Sequence, residues 1–474
     1  MRRGPLCALL ALVAALATPS AALADGEASG CVQDREHGTA RDYTCRYGPI
    51  TVAPYQVRQE LSLDGVPTPS IDGSVTAMDV DVTDASGTPV PINRLMLHHI
   101  VFTAIGRPNP ECDQYTMWDN KTRLPGNLAQ PFYGAGEERA RFAVPQGYGY
   151  PVQAGERWGL AWMFMNHKGR TDRAWITYHV TVDTAQGLTA LQPHWLDVRN
   201  CSADPVFDVA GGGPPGSEHV ETYDWVPPEN GRMIVGGGHM HGGGKRTEIV
   251  DPACGDAVVA RSRPTWGAPD HPFYHVKPVL HEPGPINMSG FGTAQGIPVR
   301  AGEPLRMRAV YDAERPHTRV MGIMVVYVAP GDPPAQRCAP PPGDLVEVGT
   351  TEPGRTEPPP FTVPLTGLDR RGRAVKIDRP PGEVARLDRG TTIRVRDLSF
   401  SRPNLSVPVG TTLRWRFGPE TLHNVTVADG PRGFSSPNLS EGRAFREKLD
   451  RPGTYRLFCA LHPVEMTQSV VVRR

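Results

Sequence analysis

Between about Thr39 and Val182 apolar and polar residues alternate in short runs, as in Ser74-Val75-Thr76-Ala77-Met78-Asp79-Val80-Asp81-Val82, and Gly, Pro and Asp break the runs. A period of two sends successive side chains to opposite faces, so each run predicts a strand with one face in a core and one toward water. Many such runs between turn residues predict an antiparallel β-sandwich. Leu191 to Pro330 repeats the pattern, with Met233-Ile234-Val235 leading into a glycine cluster and Val320 to Val328 almost continuously apolar; this predicts a second sandwich. Asp332 to Pro364 carries Pro333-Pro334, Pro340-Pro341-Pro342 and Pro358-Pro359-Pro360 with almost no aliphatic periodicity, which predicts an extended, semi-rigid linker. Strands return after Arg379 (Thr392-Ile393-Arg394-Val395, Thr412 to Phe417, Ser469 to Val472) over a length that suits one small Greek-key barrel. The expected fold is all-β, with sandwiches at 25–188 and 189–331, a Pro-rich linker at 332–378 and a barrel at 379–474.

Composition agrees with that pattern and removes several function classes. The 474 residues include 51 Gly and 50 Pro, a content that disfavours long helices. Fifty basic side chains balance fifty acidic ones. With no basic excess, nucleic acid is not an expected partner. Arg2-Arg3, the apolar stretch Leu6 to Ala17 and the small-x-small pattern Ala22-Leu23-Ala24 read as a cleaved signal peptide, residues 1–24. The mature chain is expected to begin at Asp25 and to be secreted or periplasmic. No later run approaches the roughly 20 apolar residues of a spanning helix, so no membrane span is expected.

Candidate chemistry is concentrated in a few short motifs. In Cys459-Ala460-Leu461-His462-Pro463-Val464-Glu465-Met466 a thiolate, an imidazole and a thioether lie within one strand-end loop, and His423-Asn424-Val425 lies upstream. Two imidazoles, one thiolate and a weak axial thioether form the donor set of a type 1 (blue) copper electron-transfer site. The segment resembles a plastocyanin-type cupredoxin domain, a resemblance that Pro452-Gly453-Thr454-Tyr455 extends. Its implied ligands are His423, Cys459, His462 and Met466; the Cys-x2-His-x3-Met spacing lies between common loop lengths.

Three further clusters fall in the sandwiches: His98-His99, then His239-Met240-His241 between glycine triplets, then Arg319-Val320-Met321. Residues i and i+2 of a strand share a face, so His239 and His241 can hold one metal. Adjacent His98 and His99 need a twist or bulge to do the same. A thioether added to two imidazoles favours copper over zinc. The ordered set resembles the copper type II, ascorbate-dependent monooxygenases, the family that includes peptidylglycine α-hydroxylating and dopamine β-monooxygenases, over roughly residues 45–330.

That resemblance implies two jelly-roll-like domains with one mononuclear copper each, facing one another across a solvent-filled cleft. His98 and His99 fall on the electron-storing copper, and His239, His241 and Met321 on the oxygen-activating, catalytic one. Arg308-Ala309-Val310-Tyr311 matches the strand before the methionine, for which Met324 is a competitor. The third ligand of the storage site is His167 or Met165, which share a strand face, with His167 preferred. His271, His275 and His281 read as polar loop residues, with lining of the cleft as the alternative, and His179 as structural, while Tyr311 and Glu282 are further cleft candidates.

The implied activity is hydroxylation of a C–H bond in a small organic or peptide-like substrate with O2. The cupredoxin, or a small external reductant such as ascorbate, would supply electrons. Peptide-amidating members carry an arginine two residues before the His-x-His pair, where this chain has Gly237, so a glycine-extended peptide is not the expected substrate. An exported copper-binding or electron-transfer protein without hydroxylase activity fits the same ligands. Six cysteines remain once Cys7 leaves with the signal and Cys459 is given to copper. The preferred pairing is Cys31–Cys45, with Cys201 joined to Cys338 or Cys254.

Overall fold

The computed structural model describes residues 29–349, 354–419 and 421–474, so the signal-peptide segment lies outside the described residues. The chain is all-β, as its pattern predicts, and two-layered β units follow one another. In the first, a seven-stranded sheet built on Ala40–Val52, Asp172–Asp183 and Gly73–Thr83 faces a sheet in the order Val57–Val66, Trp158–Asn166, Leu95–Ile105, Ala129–Gly136. Alternation places Val80 and Val82 in the core. A register shift opposite Thr181 and Val182 explains why the inward series continues as Met78 and then Val75, three residues apart. Trp158, Trp162, Phe102 and Tyr178 fill the layer between the sheets.

The second unit pairs Gly231–Met240 with Gly322–Pro330 and Gly290–Val299 in one sheet, and Leu305–Asp312 with Glu218–Trp225 and Gly244–Asp251 in the other. Its core is not sealed off from the first, because Ile234, Val235, Tyr327 and Ala329 pack into the first unit's apolar cluster. The Tyr327 hydroxyl also donates to the Phe132 carbonyl. The third unit stacks a five-stranded sheet containing Gly453–Cys459 and His462–Arg473 against Thr392–Arg396, Thr411–Phe417 and Ala444–Leu449, closing over Trp415.

The proline-rich stretch carries contacts of its own. Val346–Val348 adds a strand beside Gly290–Val299, and Thr366–Leu368 forms a hairpin with Ala374–Lys376. The Ala374 amide donates to the Tyr55 hydroxyl of the first sandwich. Prolines remove ladder donors, and these pairings fall on the proline-free runs around Val346–Val348 and from Thr366 to Lys376.

Cysteine pairing departs from expectation at two bridges. Cys31–Cys45 forms across adjacent strands, whereas Cys201 joins Cys112, and Cys254 joins Cys338. The pairing of Cys201 with Cys338 or Cys254 assumed a bridge inside the second sandwich. Instead the 112–201 bridge ties a loop of the first sandwich to the second, with Cα atoms 5.5 Å apart. The 254–338 bridge fastens the start of the proline-rich stretch. Three disulfides fit an oxidising, extracytoplasmic compartment. Among the described residues no helix is long and apolar enough to cross a membrane.

Candidate metal centres

The C-terminal centre is built by one hairpin and one neighbouring loop. Gly453–Cys459 ends at the cysteine, the chain turns through Ala460 and Leu461, and His462–Arg473 begins at the histidine, with a register irregularity at the turn. That geometry brings Cys459 Sγ to 3.6 Å from His462 Nδ1 and 3.9 Å from His423 Nδ1. Met466 is fully buried in the same core as Cys459. Asn424 locks the two segments together: its amide N–H donates to Cys459 Sγ (3.3 Å) and its Oδ1 accepts from the Ala460 amide (2.7 Å). Burial pushes the thiol up, and burial followed by the His462 charge pulls His423 down to about 4. Both imidazoles are thus neutral donors near neutral pH, as metal ligation requires. His423 Nε2 is buried with no hydrogen-bond partner.

The donor set and its geometry fit a type 1 copper, and sequence comparison agrees. No protein-family profile matches the chain. Amicyanin-alpha of Methylorubrum extorquens is 28% identical over 85 residues, covering 17% of this chain and 71% of that protein. The C-terminal domain is an amicyanin-like cupredoxin. Solved relatives include the Cu(I) form of a methionine-to-glutamine variant of amicyanin, 25% identical, covering 18% of this chain and 82% of that one with a TM-score of 0.17. Another is a reduced tryptophan-to-tyrosine variant of amicyanin, 26% identical, covering 18% and 85% with a TM-score of 0.17.

A second concentration of donors lies between the two sandwiches. The Leu95–Ile105 strand supplies His98 and His99. Its register against Trp158–Asn166 shifts so that His99 faces Met163, Leu97 faces Phe164 and His98 is skipped, which is the bulge that adjacent histidines need in order to converge. Their Nδ1 atoms are 3.2 Å apart. From the second sandwich, His239 and His241 arrive at the end of Gly231–Met240. The pairs abut without a gap: ring centroids of His98 and His241 are 4.9 Å apart, and those of His239 and His241 are 5.1 Å apart.

Two carboxylates, which no motif in the sequence marks, and one loop histidine complete the cluster. Glu137 and Glu138 follow the Ala129–Gly136 strand and are almost fully buried. Glu138 accepts from His239 Nδ1 (3.1 Å) and from the Gly136 amide (2.9 Å). This carboxylate–imidazole pairing orients the ring through Nδ1 and leaves His239 Nε2 buried and without a partner. Glu137 lies 3.6 Å from His98 Nε2 and accepts from His281 Nε2. The sequence signal was two consecutive acids at the end of an apolar strand. His281 joins this cluster, although it read as a loop residue; His271 instead caps the Phe273 amide and His275 meets the Pro269 carbonyl.

Electrostatics separate the rings. Burial, then neighbouring histidines, hold His98 and His241 well below the ordinary imidazole range. Burial takes His99 to about 4. Burial works against a charged His239 as well, yet the Glu138 carboxylate overcomes it and raises that ring.

The remaining candidates flank this cluster. Met321 lines a cavity of about 80 Å³ together with His98, His99, His241 and Met165. Met324 packs instead in the second sandwich core. His167 directs Nδ1 at the Pro278 carbonyl (2.8 Å) and keeps Nε2 buried and unpartnered. Tyr311 acquires a positioning role: its hydroxyl accepts from the His241 amide (2.9 Å) and donates to the Met321 carbonyl, fixing those two backbones together. Glu282 pairs with His317 (2.8 Å) beside Gly243, where a Cβ would collide with the His317 ring. The unpartnered buried nitrogens of His239 and His241, together with the converging donor atoms of His98, Glu137 and His281, all within 4.8 Å of one another, fit the inter-sandwich cluster to a metal ion, whereas nothing places His167 within it.

Proposed function

We propose that this chain is an exported copper-dependent monooxygenase-like oxidoreductase in which the cupredoxin feeds electrons to the inter-sandwich histidine cluster. A C–H bond of a small organic substrate would be hydroxylated there. The observation that carries this reading is the small cavity at which residues next to the cupredoxin ligands meet the histidine cluster. Phe458, Ala460 and Leu461, which bracket the Cys459 ligand loop, line it opposite His98, His99, His241 and Met321.

Polar anchors hold the two sides in register. Asp208 accepts from the Ser435 amide (2.6 Å) and hydroxyl (2.9 Å) of the cupredoxin. Arg319, two residues before Met321, pairs with Asp204 (2.6 Å) and donates to the Ser436 carbonyl (3.2 Å). Thr318 donates to the Val427 carbonyl (2.9 Å). A fixed, short separation is what electron delivery from one centre to the other requires.

Copper, when bound, would supply one-electron redox chemistry and oxygen activation. The chain supplies the rest. His239, oriented by Glu138, and His241, tied through Tyr311 to the Met321 backbone, would with Met321 offer two nitrogens and a thioether from the second sandwich. His98 and His99 present nitrogens from the other. The overall reaction balances as R–H plus O2, two electrons and two protons giving R–OH and water, the electrons coming from an external reductant such as ascorbate.

The testing experiment is oxygen uptake coupled to product formation by the copper-loaded, full-length protein over a broad substrate panel, with Met321→Ile expected to be inactive. Copper binding without coupled uptake would instead establish an electron-transfer or copper-binding protein. The ring packing of His98 against His241 and His281 favours this second reading, because it encloses the donors tightly.

A further inference from the structure

A cavity of about 820 Å³ opens between the two sandwiches and reaches the histidine cluster, with His99, His239, Glu138 and Met321 in its lining. This is the size of a small-molecule site rather than of a packing defect. Its walls are chiefly apolar. Leu61, Val101 and Ala161 come from one face of the first sandwich's sheet, and Val235, Phe291 and Val325 come from the second sandwich.

The floor is bare by construction. In the glycine run of the Gly231–Met240 strand, a Cβ on Gly236 would stand 2.6 Å from the Phe291 ring, and one on Gly238 would stand 2.3 Å from Thr247 Oγ1. A Cβ on Gly237 would meet nothing closer than 3.9 Å, because position 237 faces the cavity. The missing side chain therefore enlarges the cavity instead of relieving a clash.

Hydration and hydrogen bonding select the end that enters first. Glu138 places a carboxylate in the lining. Arg139, in the lining, is paired with Asp81 at 3.4 Å. Arg141, also in the lining, is exposed. Burying an anionic group against these chiefly apolar walls would cost it its hydration, and the Glu138 carboxylate beside His239 offers it no hydrogen-bond donor.

We infer that this cavity binds a neutral, largely apolar molecule of terpenoid or long-chain size, inserted with an uncharged carbon end toward His239 and Met321. The inference rests on the reading of the cluster as a hydroxylation centre and names its substrate class.

The test is fluorescence titration of the copper-loaded, full-length protein with the neutral apolar probe N-phenyl-1-naphthylamine, in the dark and without reductant. Saturable 1:1 binding is expected, displaced by dodecanol and at least about tenfold less effectively by N-acetylglycine. Gly237→Phe projects a ring into open space and is expected to weaken probe binding at least about tenfold while blue absorption is kept. Should that variant not fold, Ala161→Phe fills the same cavity from the opposite wall and should give the same loss. No saturable binding, or an unchanged affinity in both filled variants, overturns the inference. Probe binding without substrate-coupled oxygen uptake leaves the cavity assignment standing and removes the hydroxylase reading. Coupled uptake without probe binding does the reverse.

Discussion

The two metal-donor centres contrast in how they are assembled. The cupredoxin draws Cys459, His462 and Met466 from one hairpin and needs a single outside residue, His423, which Asn424 staples to that hairpin. The inter-sandwich cluster draws donors from the Leu95–Ile105 strand, the turn after Ala129–Gly136, the end of Gly231–Met240 and the loop at His281. A local centre survives as long as its own barrel does. A distributed centre also depends on how two sandwiches are docked, which here rests on a shared apolar core and the 112–201 disulfide. Its carboxylates extend the difference, since Glu137 and Glu138 hold histidines that the cupredoxin holds by backbone and amide contacts.

The largest effect is expected from Cys459→Ser. Loss of the thiolate should abolish blue absorption and drop reductant-driven oxygen uptake to background, with cluster copper retained in metal analysis. Retained turnover would separate the two centres functionally. Glu138→Gln attacks only the distributed centre. Removing the charge that orients His239 should weaken copper binding there by about 10–100-fold, while the blue site, read by its absorption, is untouched.

A pH series on the metal-free protein should set the two regions apart. His317, buried between Glu282 and Asp312, is raised to about 9 by the Glu282 charge and the Asp312 hydrogen bond, both overcoming burial. In the unfolded chain it reverts to the ordinary imidazole value. Its stabilisation of the second sandwich is therefore fully present below about pH 6.5 and disappears as pH rises through about 9, on the order of 3 kcal/mol at most. His423, held down at about 4, has the opposite sign, costing the cupredoxin stability as pH falls from about 6.5 toward 4. Thermal unfolding of His317→Gln with no alkaline change relative to the parent would contradict the first half. The smallest effect is expected from Asp208→Ala, which removes the Ser435 anchor. It should slow electron delivery by about three- to tenfold in stopped-flow traces of blue absorption, with both metals retained.

The contrast also explains what the chain disclosed before folding. Period-two alternation predicted the strands, because one buried face imposes it at Val80 and Val82 as at Val470 and Val472. The cupredoxin ligands were legible because they lie within a few residues of one another. The cluster was half legible. His98-His99 and His239-Met240-His241 announce themselves, but Glu137, Glu138 and His281 are ordinary loop residues until a second sandwich arrives over them. The same holds for Cys112, whose partner Cys201 is 89 residues away across a domain boundary. Contacts made by docking leave no period in the sequence.

The central claim, a distributed copper centre served by a local one, is tested most directly by copper quantitation with optical and EPR spectra on the full chain. Three coppers per chain are predicted, one blue and two of ordinary type II character, the latter pair diminished in His98→Ala and in His239→Ala. A single blue copper, with no type II signal at saturating metal, would contradict it.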